Sequence, residues 1–166
     1  MIPDDEFSRD GARLAQREAI TRAVLEKFIA YWSVQDVTQT VALLAEDAVS
    51  QVYFNHPEVG MAGEKRGQTE IAEGLYENQA IWVYLQFEPV IVGIDDDTGR
   101  IQIQFEYEHQ KTHLRYAGTM RMVLRVRDGL ISRIDCYHDG ERVAAFMELL
   151  RASGGGAGFE PVAAKA

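Results

Sequence analysis

The sequence predicts an α+β fold, a curved antiparallel sheet wrapped around three N-terminal helices with a short C-terminal helix. Three observations predict it. Apolar residues in the first half recur at spacings of three and four, the mark of amphipathic helices. From Trp82 onward the chain alternates apolar and polar residues in runs separated by turn signals, the mark of hairpin-linked strands. Helices segregated from such strands give α+β rather than α/β. The 166 residues, 46% of them hydrophobic, amount to one domain with enough apolar surface to bury a core.

Each element has its own signal. Residues 1–12 read as a polar lead-in, 13–152 as the domain and 153–166 as a flexible, glycine-rich tail. A helix is expected over 13–33, with Ile20, Val24, Phe28 and Tyr31 on one stripe. Asp36 caps a second helix over 36–47, with Gln39 three residues on as in a capping box and Val37, Val41 and Leu44 on its apolar side. A strand over 48–56 stops at Pro57, and 58–67 reads as a loop. A third helix over 68–79 places Ile71 and Leu75 together, capped by Gly67 or Thr69. Strands follow over 84–94, 100–110, 115–127 and 130–138. Pro89 marks an edge or a bulge, and the Asp95–Gly99 cluster and Asp128-Gly129 supply turns. Asp139 reads as the N-cap of a last helix through Arg151, with Val143, Phe146, Met147 and Leu150 apolar.

Alternation sorts the faces of the sheet. On one face fall Ile101, Ile103, Phe105, Tyr107 and His109, then Tyr116, Gly118, Met120, Met122, Leu124 and Val126, then Leu130, Ser132, Ile134, Cys136 and His138. The other face collects Glu and Gln on one strand and Arg121, Arg125 and Arg127 on the next, with Arg133, Asp135, Ile131 and Tyr137 beyond. That charged face is expected to be solvated or to meet a second copy. Its cross-strand pairs would each contribute a few tenths of a kcal/mol, by order of magnitude. The apolar face ends in polar groups, as the mouth of a pocket requires.

Composition removes several functions. With 17 Lys and Arg against 26 Asp and Glu the net charge is −9, so nucleic acid and anionic membranes are excluded as partners. A single cysteine rules out a disulfide framework and a thiolate zinc site. His56, His109, His113 and His138 show no helical i, i+4 pair and no HExxH motif, so no metal is expected, and no cofactor either. Acidic Asp4, Asp5 and Glu6 stand where a secretory signal would be basic, and no apolar run is long enough to span a membrane. A cytoplasmic protein is expected.

Three segments carry a family resemblance. The first is Trp32-Ser33-Val34-Gln35-Asp36 followed by Leu43-Leu44-Ala45-Glu46-Asp47-Ala48-Val49. The second is Arg66-Gly67-Gln68-Thr69-Glu70-Ile71-Ala72. The third is Val126-Arg127-Asp128-Gly129-Leu130-Ile131-Ser132-Arg133-Ile134, ending in Tyr137-His138-Asp139. In this order and spacing the chain resembles the SnoaL-like branch of the nuclear-transport-factor-2-like superfamily. The resemblance implies a cone-shaped α+β barrel around one apolar pocket, and homodimers that pair through the sheet. It also implies a range of activities: ketosteroid isomerases, polyketide cyclases, limonene-epoxide hydrolases, scytalone dehydratases and non-catalytic members. Fold alone does not choose among them.

The catalytic positions that the resemblance implies are not filled intact. Val52 stands where the isomerases keep a general-base aspartate. Phe105 and Tyr107 stand where the epoxide hydrolases keep an arginine and an aspartate, and Cys136 where they keep a second aspartate. Ser50 and Val52 replace their tyrosine and asparagine, and helix one ends Tyr31-Trp32-Ser33 without the acid of the dehydratases. What remains is His109 and His138 as candidate proton carriers, with Tyr107 as candidate donor to an oxyanion. Tyr31, Trp32, Ser50, Val52, Phe54, Phe105, Tyr116, Met120 and Cys136 are the expected pocket lining. The plainer readings are a hydrogen-bonded rim position for each histidine, core packing for each tyrosine and an inert buried thiol for Cys136, unless His138 serves it as a cation. Tyr53, Asn55 and His56 are placed at the pocket entrance.

Three functions therefore stay open. The chain is a proton-transfer enzyme for a small apolar, oxygenated substrate (isomerisation, cyclisation or dehydration), a non-catalytic binder of such a molecule, or a dimeric interaction module.

Overall fold

The computed structural model describes residues 4–55 and 61–155. In chain order the elements are α1 (Asp4–Ser33), α2 (Val37–Ala42), β1 (Leu44–Tyr53), β2 (Met61–Arg66) and α3 (Gly67–Ile81). Then come β3 (Trp82–Asp95), β4 (Thr98–His109), β5 (Arg115–Arg127), β6 (Leu130–Tyr137) and α4 (Gly140–Ala152). The six strands make one curved sheet in the order β2-β1-β6-β5-β4-β3, with α1 packed across β3, β4 and β5 and α3 against β1. The α+β class is as predicted. The sheet is mixed and unclosed rather than wholly antiparallel, because β1 runs parallel to β6, with Val52 beside Cys136. Turn signals specify only neighbouring strands, so nothing local announces a pair separated by some eighty residues.

Three elements differ from their predicted bounds. The segment read as a lead-in is helical from Asp4, so α1 is a single helix of 30 residues. The second helix stops at Ala42, and β1 starts at Leu44 within the stretch assigned to that helix. The stretch read as a loop contains β2, which pairs antiparallel with β1. The glycines and charges of that segment hid an edge strand, which needs little apolar character because it is paired on one side only.

Of the expected stripe of α1, Val24 and Phe28 are buried, with Thr21 and Leu25 beside them, whereas Ile20 is exposed and Tyr31 half-buried. Burying Leu25 or Phe28 contributes roughly 1.5–3 kcal/mol apiece. Leu25 comes so close to β4 that a Cβ at Gly99 would run into it. Asp36 caps α2 as expected, its Oδ1 accepting from Gln39 N at 3.0 Å. Neither Gly67 nor Thr69 caps α3; instead Glu70 reaches back and its Oε2 accepts from Arg66 N at 2.7 Å. Asp139 caps α4 through Arg142 N, and Val143, Phe146, Met147 and Leu150 are all buried. Both tight turns are present, with positive φ at Asp96, Asp128 and Gly129. Pro89 lies on β3, the edge of the sheet.

Face assignment holds along β4 and β5, where Ile101 to His109 and Tyr116 to Val126 bury the predicted residues. It fails at the start of β6. A bulge between the Arg125–Arg133 and Val126–Ile131 pairs leaves Ser132 as the extra residue and flips what precedes it. Ile131 is therefore in the core, and Leu130 is exposed. On the outer face the Glu–Arg lattice reduces to Arg115, which meets Glu106 at 3.3 Å and Glu108 at 3.5 Å. Arg133 instead grips Asp135 with both Nε and Nη2 at 2.8 Å, and the Tyr53 hydroxyl donates to the same carboxylate.

Candidate functional site

The concave face of the sheet carries a continuous aromatic array. On the inward side of β4, Phe105 and Tyr107 stack with centroids 4.4 Å apart, and Tyr107 stacks on Tyr84 of β3 at the same distance. Tyr116 of β5 stacks on Phe146 of α4 at 5.1 Å, and Trp82 lies 5.9 Å from Phe146. Alternation on each strand aims these rings inward, and the amphipathic α4 covers them. Phe105, Tyr107, Tyr116, Met120 and Cys136 are all under a tenth exposed, so the chain's own side chains fill this surface.

The two candidate histidines face the same array in different states. His109 ends β4 and is buried, edge-on to Trp82 at 5.3 Å. Its Nδ1 accepts from the Thr112 backbone N–H at 3.3 Å, with Thr112 Oγ1 at 2.9 Å. That lone pair therefore fastens the β4–β5 hairpin. Burial first, and then Lys111, lower its pKa. His138 follows β6 and packs on Phe54 and Phe105 at 5.5 and 5.9 Å. Its Nδ1 is buried and has no hydrogen-bond partner among the described residues. Burial pushes its pKa down to about 4, so the ring is neutral at pH 7.

The other polar groups inside are held in their neutral forms. Burial drives the Tyr107 phenol far above its ordinary value, with Tyr84 adding to the effect. Burial, then nearby Asp139, push Tyr116 up to about 12. Burial also pushes the Cys136 thiol up to about 12, and its Sγ donates to Met120 Sδ at 3.7 Å. With His138 uncharged, no cation from that side favours a thiolate. Phe54 is buried, while Ser50 and Val52 on the same parity of β1 are half-buried.

A cleft opens where the α1–α2 turn, α3 and β3 meet. Trp32, Gln35, Leu75, Gln79 and Tyr84 line it, and its free volume is about 10 Å³. This is room for about one water and far below the roughly 300–1,000 Å³ of an organic-ligand pocket. Trp32 stacks on Phe87 at 6.2 Å. The polar ends of Trp32, Tyr107 and Gln35 converge on the Tyr84 hydroxyl, whose pKa burial raises. Tyr84 forms the wall between cleft and array, since its other side stacks on Tyr107.

The structure thus gathers Phe54, Phe105, Tyr107, Tyr116 and both histidines around one surface, and joins Trp32 to it through Tyr84. Tyr31 is half-buried and lies outside the packed core. Tyr53, expected at the entrance, faces the outer side toward Asp135; His56 lies outside the described residues. Gln35, Gln79 and Tyr84 were missed by the sequence reading. Tyr84 was legible as an inward residue of β3, but nothing marks a glutamine in an interhelical turn. Among the described residues, no group of three His, Cys, Asp or Glu side chains could hold a metal ion.

This architecture has known relatives. The profile of the SnoaL-like domain matches residues 25–134, about two-thirds of the chain. The chain belongs to the SnoaL-like family. PrhC from Penicillium brasilianum NBRC 6234 shares the fold at TM-score 0.67 and 17% identity, over 87% of this chain and 96% of that one. So does a protein provisionally assigned as an isomerase from Bacillus subtilis, at 0.63 and 22%, over 83% and 94%. A provisionally assigned polyketide cyclase from Xanthomonas campestris pv. campestris follows at 0.64 and 14%, over 78% and 97%. At such identities these SnoaL-like relatives establish the fold and not the chemistry. No curated protein matches the chain.

Proposed function

We propose that this SnoaL-like chain takes a small, largely apolar, oxygen-bearing molecule against the concave face of its sheet, and that His138 is the group that acts on it. The observation that carries the reading is the buried Nδ1 of His138, without a partner among the described residues, in an aromatic enclosure. Leaving a polar atom unpaired there costs about 1–3 kcal/mol, an outlay that a ligand oxygen or proton would offset. A neutral imidazole can donate to a carbonyl as charge develops on its oxygen, or take a proton from carbon acidified by that carbonyl. Tyr107 and Tyr116, held protonated, supply further donors. The chemistry this suits is isomerisation, cyclisation or dehydration. His109 stays outside it, because its lone pair is committed to Thr112. The molecule reaches this surface through the cleft, and the side chains filling the array shift to admit it.

The partner in this proposal is a second copy meeting the outer face of the sheet. There Glu88, Glu106 and Glu108 lie on the β3–β4 half, and Arg121, Arg125 and Arg133 on the β5–β6 half. A two-fold axis between the halves would set opposite charges face to face. Among the described residues no helix is long and apolar enough to cross a membrane. A cytoplasmic setting, read from the sequence, is part of the same proposal.

Native mass spectrometry of the freshly purified protein tests both parts. The expected result is a dimer carrying a small organic mass, which His138→Phe, by filling the polar site with a ring, reduces at least tenfold. A monomer at all concentrations contradicts the partner. Adduct retention unchanged in His138→Phe contradicts the role of His138.

A further inference from the structure

The concave face is full, and α4 supplies much of what fills it. Phe146 stacks on Tyr116 at 5.1 Å and lies 5.9 Å from Trp82, and Val143, Met147 and Leu150 of the same helix are buried beside it. Yet the backbone of α4 stands off from the strands and the other helices, whereas α1 and α3 approach the sheet closely. Side chains therefore bridge the space beneath α4. Polar ties across that space are sparse. Arg142 Nη1 donates to Ala117 O at 3.0 Å, on the stretch of β5 that runs past the end of β6. The other charged residues of the helix, Glu141, Glu148 and Arg151, are exposed. The hold on α4 is thus mainly apolar contact, which has no fixed direction.

The two ends of the helix are built differently. At the start, only His138 and Asp139 separate Tyr137, the last residue of β6, from Gly140. The His138 N–H donates to Tyr53 O at 2.9 Å, which fixes the near side of this short junction to β1. At the far end, Gly154 turns with φ at 72° and the Gly155 N–H donates to Leu150 O at 2.9 Å, closing the helix as a glycine C-cap does. Gly155 then seats so closely on the β4–β5 hairpin that a Cβ there would lie 2.8 Å from Thr112 Cγ2. Thr112 is the residue that holds His109. A glycine is what this close fit requires, and the fit latches the end of α4 to the hairpin.

We propose that α4 is a displaceable plug: without a ligand, Phe146 and Met147 occupy the place of the ligand's apolar body, and the helix swings on the His138–Gly140 junction when Gly155 leaves Thr112. The inference rests on the reading that a small apolar, oxygen-bearing molecule binds the concave face. It names the side chains that shift to admit it. Lifting Phe146 uncovers Trp82 and Tyr116, and the junction that bends is the one that carries His138. An apolar ligand replaces the contacts that α4 gives up, so the exchange loses little buried apolar surface. The ligand binds only the open state, and that difference in affinity is what shifts the balance toward it.

A reversible lock on the latch tests this. The close approach of position 155 to the Thr112 side chain suits a disulfide, so a double variant, Thr112→Cys with Gly155→Cys, is closed by oxidation and reopened by reduction. The probe is cyclohexanone, and its binding is read from the Trp82 indole resonance of ¹⁵N-labelled protein. Amide hydrogen exchange of the wild type is followed alongside and needs no variant. The α4 amides are expected to exchange at least tenfold faster than those of β4 and β5, as a locally opening element does. The reduced variant is expected to bind cyclohexanone as the wild type does, and oxidation to weaken that binding at least tenfold. Binding within twofold in the oxidised and reduced forms overturns the plug and leaves the proposed function standing, because the molecule then enters past a fixed α4. Exchange of α4 no faster than that of the strands overturns it as well. Uptake by neither form nor by the wild type overturns the inference and counts against the proposed function too.

Discussion

At the β4–β5 hairpin, His109 gives its Nδ1 lone pair to the Thr112 N–H. At the β6–α4 junction, His138 packs on the rings of Phe54 and Phe105, and its buried Nδ1 has no hydrogen-bond partner among the described residues. Both side chains lean on the same aromatic surface, and burial lowers the pKa of both. The difference lies in what each nitrogen does for the fold. His109 stabilises a turn, so removing it takes away bonds that folding makes. His138 costs the fold a desolvated polar atom, so removing it relieves a penalty. A residue that a protein keeps against its own stability is a better candidate for function than one it needs for folding.

The largest expected effect is in acid. His138 has a pKa of about 4 when folded against 6.5 for the free side chain, so the unfolded chain takes up its proton first as pH falls. Stability is therefore complete above pH 6.5 and is lost as pH falls toward 4, by about 3 kcal/mol from this group alone. Urea unfolding of wild type and His138→Leu at pH 7 and pH 4 measures it. The variant should lose about 3 kcal/mol less than wild type over this interval. Equal losses would mean that His138 is not desolvated in the folded state.

The next effect separates the two regions at pH 7. His109→Ala loses the Thr112 bonds and the packing on Trp82, and should cost roughly 2–3 kcal/mol. His138→Leu should be neutral or stabilising by up to about 1 kcal/mol, since it removes an unpaired buried polar atom without emptying the site. Comparable destabilisation in both would erase the distinction. The smallest effect sharpens the hairpin side. Thr112→Val deletes the hydroxyl that lies beside His109 Nδ1 and accepts from Leu114 N, but keeps the backbone donor. Chemical denaturation should register a loss of about 1 kcal/mol, with the titration of His138 unmoved.

Much of this contrast could be read in the chain before folding. The strict alternation from Ile101 to His109 aims His109 inward, and Asp139 as an N-cap places His138 just before a helix. The caps at Asp36 and Asp139 and the turns at Asp96 and Asp128 depend on neighbouring residues, so local sequence announces them. What escaped depends on partners far along the chain. The parallel β1–β6 pair has no local mark, and β2 pairs on one side only, so its sequence carries weak alternation. The bulge at Ser132 exchanges Ile131 for Leu130 in the core through one extra residue that the pattern does not reveal. The candidate site divides in the same way. Parity identifies which side chains face inward. Whether the nitrogen of a given histidine finds a donor, or a glutamine amide finds an acceptor, depends on three-dimensional neighbours such as Thr112 and Gln79.

The most direct measurement is a long-range ¹H–¹⁵N correlation of the histidine rings across pH 4 to 8, which reports both tautomer and titration. His109 should hold its proton on Nε2, with Nδ1 showing the shift of an acceptor. His138 should stay neutral throughout the neutral range and begin to protonate only near pH 4. A His138 ring that titrates near 6.5, as a solvated imidazole does, would contradict the account, because its nitrogen would then be satisfied by water and would hold no place for a ligand.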